Sequence, residues 1–218
     1  GEDLSKIDKY YDFGCRHAML TWNEANALGA GALSGQSYGL TTAGKEAVKL
    51  IQAKGMLLDV SHLNDAGFWD IVKLAKKPIV ASHSNSRVMC DVPRNLTDDQ
   101  LRAIRDLDGV VGLNSFNIFV DHDPAKQTVE NLARHAEHMI NIMGIDHVGC
   151  GFDFFEFIED EETMGSMAAS STPAVKGMDD ASQIPNLFKV FEKMGLSQEE
   201  RDKIARLNFQ AVVKKTIG

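Results

Sequence analysis

"GMLLDVSHLNDAGFWDIVKLAKKPIVASHSNSR", residues 55–87, contains two short apolar runs that each end on Ser-His, with a stretch of different rhythm between them. The runs 56–62 and 78–84 are rich in β-branched and large apolar residues and read as strands, whereas 64–77 has the spacing of an amphipathic helix. Strand, helix, strand is the unit in which parallel neighbours are joined by a helical crossover.

Outward from this unit the pattern repeats. Residues 15–21, 110–116 and 147–153 read as further strands, and 42–55, 97–109 and 128–144 as helices. Thr97 stands three residues before Gln100, a capping-box spacing, and Asp98 and Asp99 favour the positive end of the helix they begin. Gly55, Gly109 and Gly144 each follow an apolar-periodic run, where a residue tolerant of positive φ closes a helix cheaply. The order β-α-β-α-β-α-β-α-β implies a parallel sheet with helices outside it.

Two architectures fit such alternation, a doubly wound open sheet and a (β/α)8 barrel of the TIM type. No Gly-rich phosphate fingerprint follows the first strand, and polar residues recur at the C-terminal ends of several strands, which favours the barrel. A complete barrel needs eight units, and five are legible. After Asp153 comes a long irregular stretch, then helical material from about 184 to 217. The expectation is that residues 1–218 supply about strands four to eight of a single barrel, with strands one to three outside this chain.

Composition narrows the function. The chain has 218 residues, 44% apolar and 25% charged, the profile of an ordinary globular protein. A net charge of −8 without any basic stripe argues against nucleic acid. No apolar run is long enough to span a bilayer and no secretory signal is visible, so the expected location is the cytoplasm. Cys15, Cys90 and Cys150 are too few and too scattered for a disulfide framework or a thiolate zinc site.

If the two Ser-His strands are neighbours, His62 and His83 lie on one face of the barrel, close enough to meet at one metal ion, and zinc takes imidazole nitrogen readily. Each His could instead merely cap its strand. Asp153, at the end of "HVGCGFD", could accept a proton from water or bind metal directly, or serve only as a turn cap. Gly149 and Gly151 beside it permit close approach. Arg94, in the loop after the second Ser-His, could grip a carboxylate bidentately or be a solvated loop residue. Trp22, Asn23 and Asn26 end the first strand. His135 and His138 read as a solvated helix face, His122 as loop, and His147 as the start of a strand at the opposite end of the barrel.

"LTWNEAN", "GLTTAGKEAVKLIQAKGMLLDVSH", "PIVASHSNSR", "PRNLTDDQLRAI", "GVVGLNSF" and "GIDHVGCGFDFF" occur in the order and approximate spacing of the membrane (renal-type) dipeptidases. The chain resembles this family, zinc peptidases of the amidohydrolase-like barrel group, over essentially its whole length. The resemblance implies two zinc ions per complete site and hydrolysis of dipeptides by a metal-bridged hydroxide. His62 and His83 match ligands of the second zinc, Asp153 the acidic residue beside the bridging water, and Arg94 the residue that binds the substrate carboxylate. Trp22, Asn23 and Phe116 fall at substrate-binding positions. Trp22 stands where renal-type members have a His, and Phe116 where animal members have a Tyr. The family's first-strand His-x-Asp pair and its bridging Glu have no counterpart here.

The main alternative is a catalytically incomplete barrel fragment or binding module with half of a metal cage. An amidohydrolase of cyclic amides or lactones would use the same ligands. The partners expected are a dipeptide substrate and either a second copy of the chain or a complementary N-terminal segment. The acidic, Ser/Met-rich residues 156–180, just beyond the final strand, read either as a lid over the site or as a disordered excursion.

Overall fold

Thr41, Asn64, Thr97 and Thr128 each sit in extended backbone and accept a hydrogen bond from an N–H one turn on, which starts four helices. In the computed structural model, which describes residues 3–154 and 174–218, these are α2 (Thr42–Ala53), α3 (Asp65–Leu74), α4 (Asp98–Asp106) and α5 (Val129–Met143). The capping box expected at Thr97 and Gln100 is formed in both directions. A short α1 (Lys6–Asp12) precedes them.

The helices alternate with five strands, β1 (His17–Met19), β2 (Leu57–Asp59), β3 (Ile79–Ala81), β4 (Val110–Leu113) and β5 (Val148–Cys150). All four pairings are parallel and the spatial order is the chain order. With no reversal in that order there is no switch point of the doubly wound kind, so the sheet is an arc of a (β/α) barrel. Among the described residues the arc stays open.

Successive strand residues face opposite ways. Leu58, Ile79, Ala81, Val111, Leu113 and Val148 pack into the main core beneath the helices. Leu57, Val80 and Val110 face the other side, where Val212, Phe209 and Ile217 cover them. Those three belong to α8 (Asn208–Ile217), which follows α6 (Ile184–Lys193), α7 (Gln198–Asp202) and a π-helical turn, Lys203–Leu207. Asn208 fixes α8 to β5 by donating to the carbonyls of Ile145 and Val148.

His147 closes a 3-10 turn, Ile145–His147, just before β5. No helix among the described residues is long and apolar enough to cross a membrane. Of the stretch read as a lid, residues 156–173 lie outside the described residues. From Ala174 the chain is held at the barrel mouth, where Ala174 bridges Phe116 and Lys176 bridges Thr128.

Candidate metal centre

Parallel register decides the site. Asp59 pairs with Val80, so His62 and His83 each stand three residues beyond a paired position, at the C-terminal ends of β2 and β3. Their rings meet edge to face with centroids 4.8 Å apart, and their Nε2 atoms are 2.8 Å apart. His62 reaches this position with φ of +68°, a left-handed conformation that costs a non-glycine residue energy and is tolerated where surrounding contacts impose it.

Hydrogen bonds to the outer ring nitrogens define both imidazoles. His62 Nδ1 lies 2.9 Å from Asn23 Oδ1, an amide oxygen that can only accept, so Nδ1 carries the proton. His83 Nδ1 lies 2.7 Å from Ser82 Oγ. Burial disfavours the charged form of both rings, pushing His62 down to about 2, with the Arg94 charge adding to the effect, and lowering His83 as well. His62, with its proton on Nδ1, turns its Nε2 lone pair toward Nε2 of His83, and a cation between the two nitrogens would be met by both rings. Two nitrogens bound to a common zinc stand roughly 3.3 Å apart, so the rings need to part by only about half an ångström. The donor set fits a metal.

Asp153 completes the cluster on β5's side. Its Oδ2 is 3.9 Å from His83 Nε2 and accepts from Asn114 Nδ2 at 3.3 Å. Asn114 is itself held by Asn85, which accepts from its backbone N–H. Asp153 also has a positive φ, +63°, so two of the residues at this mouth hold strained backbone. Among the described residues no three His, Cys, Asp or Glu side chains converge as a ready metal cage.

Arg94 is buried, and its guanidinium donates to the His83 carbonyl at 3.3 Å and lies 5.5 Å from the Phe119 ring centre. Among the described residues it makes no ion pair, and its Nε has no partner. Burial lowers it to about 10, which leaves it cationic at neutral pH. A buried, unpaired guanidinium is costly unless an anion meets it. Trp22 is partly exposed, its ring 6.1 Å from that of His62. Phe116 packs against Phe119. The structure therefore brings Trp22, Asn23, His62, His83, Arg94, Phe116 and Asp153 to one end of the sheet.

His135 is a correction. It is not on a solvated face but is buried, with Nδ1 accepting from the Ser86 N–H and Nε2 donating to the Val120 carbonyl. The loop after β3 lies over α5 and covers it, which helical periodicity could not reveal. His138 is half-buried and bonds Asp98 at 2.7 Å.

Sequence reasoning also passed over Asp59. The signal was present: a carboxylate inside "MLLDV", a strand otherwise apolar on both faces.

Residues 1–217 match the membrane dipeptidase family, peptidase family M19. The chain belongs to that family. An uncharacterized protein in the pqqA 5' region of Klebsiella pneumoniae is 36% identical, covering 98% of this chain and 76% of its own length. An uncharacterized dipeptidase of Schizosaccharomyces pombe, C3A11.10c, is 32% identical over 97% of this chain, which spans only 49% of that relative. A crystal structure of a metallo peptidase from Rhodobacter sphaeroides, liganded with a phosphinate mimic of the dipeptide L-Ala-D-Ala, superposes with a TM-score of 0.86 at 30% identity, covering 99% of this chain and 60% of that one. As a family member, this chain thus corresponds to about half to three quarters of its relatives.

Proposed function

We propose that the protein is a zinc-dependent dipeptidase, with the five strands forming strands four to eight of one barrel. The observation that carries this is the convergence of His62 and His83 Nε2 on one point, beside a carboxylate and a buried guanidinium that makes no ion pair among the described residues.

His62 and His83 would hold a zinc ion, with Asp153 beside it. Zinc, when bound, supplies Lewis acidity toward a peptide carbonyl and lowers the pKa of water. Arg94 pairs bidentately with the terminal carboxylate of the substrate, which places the peptide bond next to that carboxylate at the two imidazoles. Asp153, oriented by Asn114, accepts a proton from the attacking water at Oδ2 and returns it to the leaving amine. Trp22 and Phe116 wall the substrate, while Asn23 also orients His62. The Rhodobacter sphaeroides ligand supports substrates with a D-residue on the C-terminal side.

The test is zinc content and hydrolysis across a panel of L,L and L,D dipeptides and lactones, using the whole natural chain. Dipeptide turnover that disappears in His62→Ala and in His83→Ala is expected. Full activity in either variant refutes the mechanism, and a folded protein that binds no metal and cleaves nothing would be a binding module instead.

A further inference from the structure

Asp59 ends β2 fully buried, facing the inner side of the arc, and no step above uses it. Its carboxylate has four hydrogen-bond donors. Oδ1 accepts from the backbone N–H groups of Ser61 at 2.9 Å and Ser82 at 3.0 Å. Oδ2 accepts from the Ser82 hydroxyl and from His17 Nε2, the latter at 3.0 Å. Burial pushes the carboxyl up, but the hydrogen bonds from His17 and Ser82 outweigh it and hold the group below the usual carboxylate range. Ionised, it is an acceptor only.

The consequence passes through Ser82. A hydroxyl has one hydrogen. With that hydrogen donated to Asp59, Ser82 Oγ can only accept from His83 Nδ1, so His83 must carry its proton on Nδ1 and leave Nε2 bare. We infer that Asp59 is a positioning residue that sets the tautomer of His83 through the Ser82 hydroxyl, and so keeps its Nε2 available to the metal. This rests on the reading of His83 as a ligand only for its purpose, not for its mechanism.

Asp59→Asn reverses the logic. Two backbone N–H groups keep the amide oxygen at the Oδ1 position, so the NH2 faces Ser82 Oγ and donates to it. Ser82 then turns its hydrogen to His83 Nδ1, and the proton of His83 moves to Nε2. His17, whose side chain is 45% exposed, is free to change its own tautomer and accommodate the amide.

The experiment is 15N NMR of histidine-labelled whole protein, freed of metal, with zinc affinity measured separately by chelator competition. In the wild type His83 reads as Nδ1–H, and in a folded Asp59→Asn variant as Nε2–H, with zinc affinity about 10- to 100-fold weaker. Ser82→Thr keeps the wild-type tautomer, Ser82→Ala loses the preference, and His17→Gln, which removes only the other partner of Oδ2, leaves it unchanged. A folded Asp59→Asn protein that keeps Nδ1–H overturns the inference. Should that variant not fold, Ser82→Ala with an undisturbed tautomer overturns it equally. A tautomer switch in a protein that hydrolyses no dipeptide upholds the relay and removes the peptidase reading.

Discussion

Gly151→Ala is the substitution that most directly joins the fold to the site. A Cβ at position 151 would lie 1.7 Å from the Ser82 carbonyl oxygen and 2.8 Å from its carbon, where ordinary contact begins at 3.4 Å. The obstacle is backbone, so no side chain can swing aside, and either β5 or the end of β3 must retreat by more than an ångström. Overpacking of this kind costs about 1–3 kcal/mol, which lowers Tm by roughly 3–10 °C in a protein of this size. On the proposed function the rate suffers more, because Ser82 immediately precedes His83, and a displacement of about 1 Å in a positioned group costs on the order of 100-fold in rate. Thermal unfolding, zinc competition and kcat/KM on a dipeptide read the three effects. Cys150→Ala, next along the strand, serves as a control that removes packing without creating the clash and keeps zinc affinity. If Gly151→Ala binds zinc and turns over like the wild type, the Ser82 contact does not hold His83 in place and the reasoning fails.

On the proposed role of Arg94 as the carboxylate anchor, Arg94→Lys loses a bidentate fork worth about 1.5–3 kcal/mol for a hydrogen bond to a charged group; kcat/KM should then fall roughly 10- to 150-fold, mainly through KM, in steady-state kinetics. His135 is held neutral, its pKa lowered by burial from 6.5 to about 4. Between those values the unfolded chain binds the proton that the native state refuses, so stability is full above pH 6.5 and falls as pH drops toward 4, by about 3 kcal/mol at the limit. Urea titrations from pH 7 to pH 4 should show a shallower decline for His135→Gln than for the wild type; equal slopes would remove His135 as the source. Thr97→Ala removes the hydroxyl half of the α4 capping box, leaving the backbone N–H at that position donating to Gln100 Oε1, and is expected to cost about 1 kcal/mol in the same titrations, with no change in zinc affinity.

How much of this was legible beforehand depended on how local each cause is. Thr97 with Gln100, and the glycines after α2 and α5, act within a few residues, and the strands around Leu58, Val80, Val111 and Val148 announce themselves by composition. Gly151 was legible as a point of close approach, though not what approaches it. His135 misled because a helix facing two packed elements has no solvated side at that position, and the second element is a loop without periodicity. Asp59 was visible as an anomaly, yet its partners come from β1 and β3.

Local chemistry along the chain was enough for the alternation of strands and helices, their starts, and the placing of a histidine at the end of each of two strands, since propensity, capping and apolar period operate over one or two turns of chain. That the two rings face each other emerges only when the strands are paired. That depends on Asp59 lying opposite Val80, and a slip of one residue would send every side chain of the strand to the other face. Register is fixed by packing and hydrogen bonds between segments more than twenty residues apart, and so are the buried guanidinium of Arg94 and the Asp59–Ser82–His83 chain that depend on it.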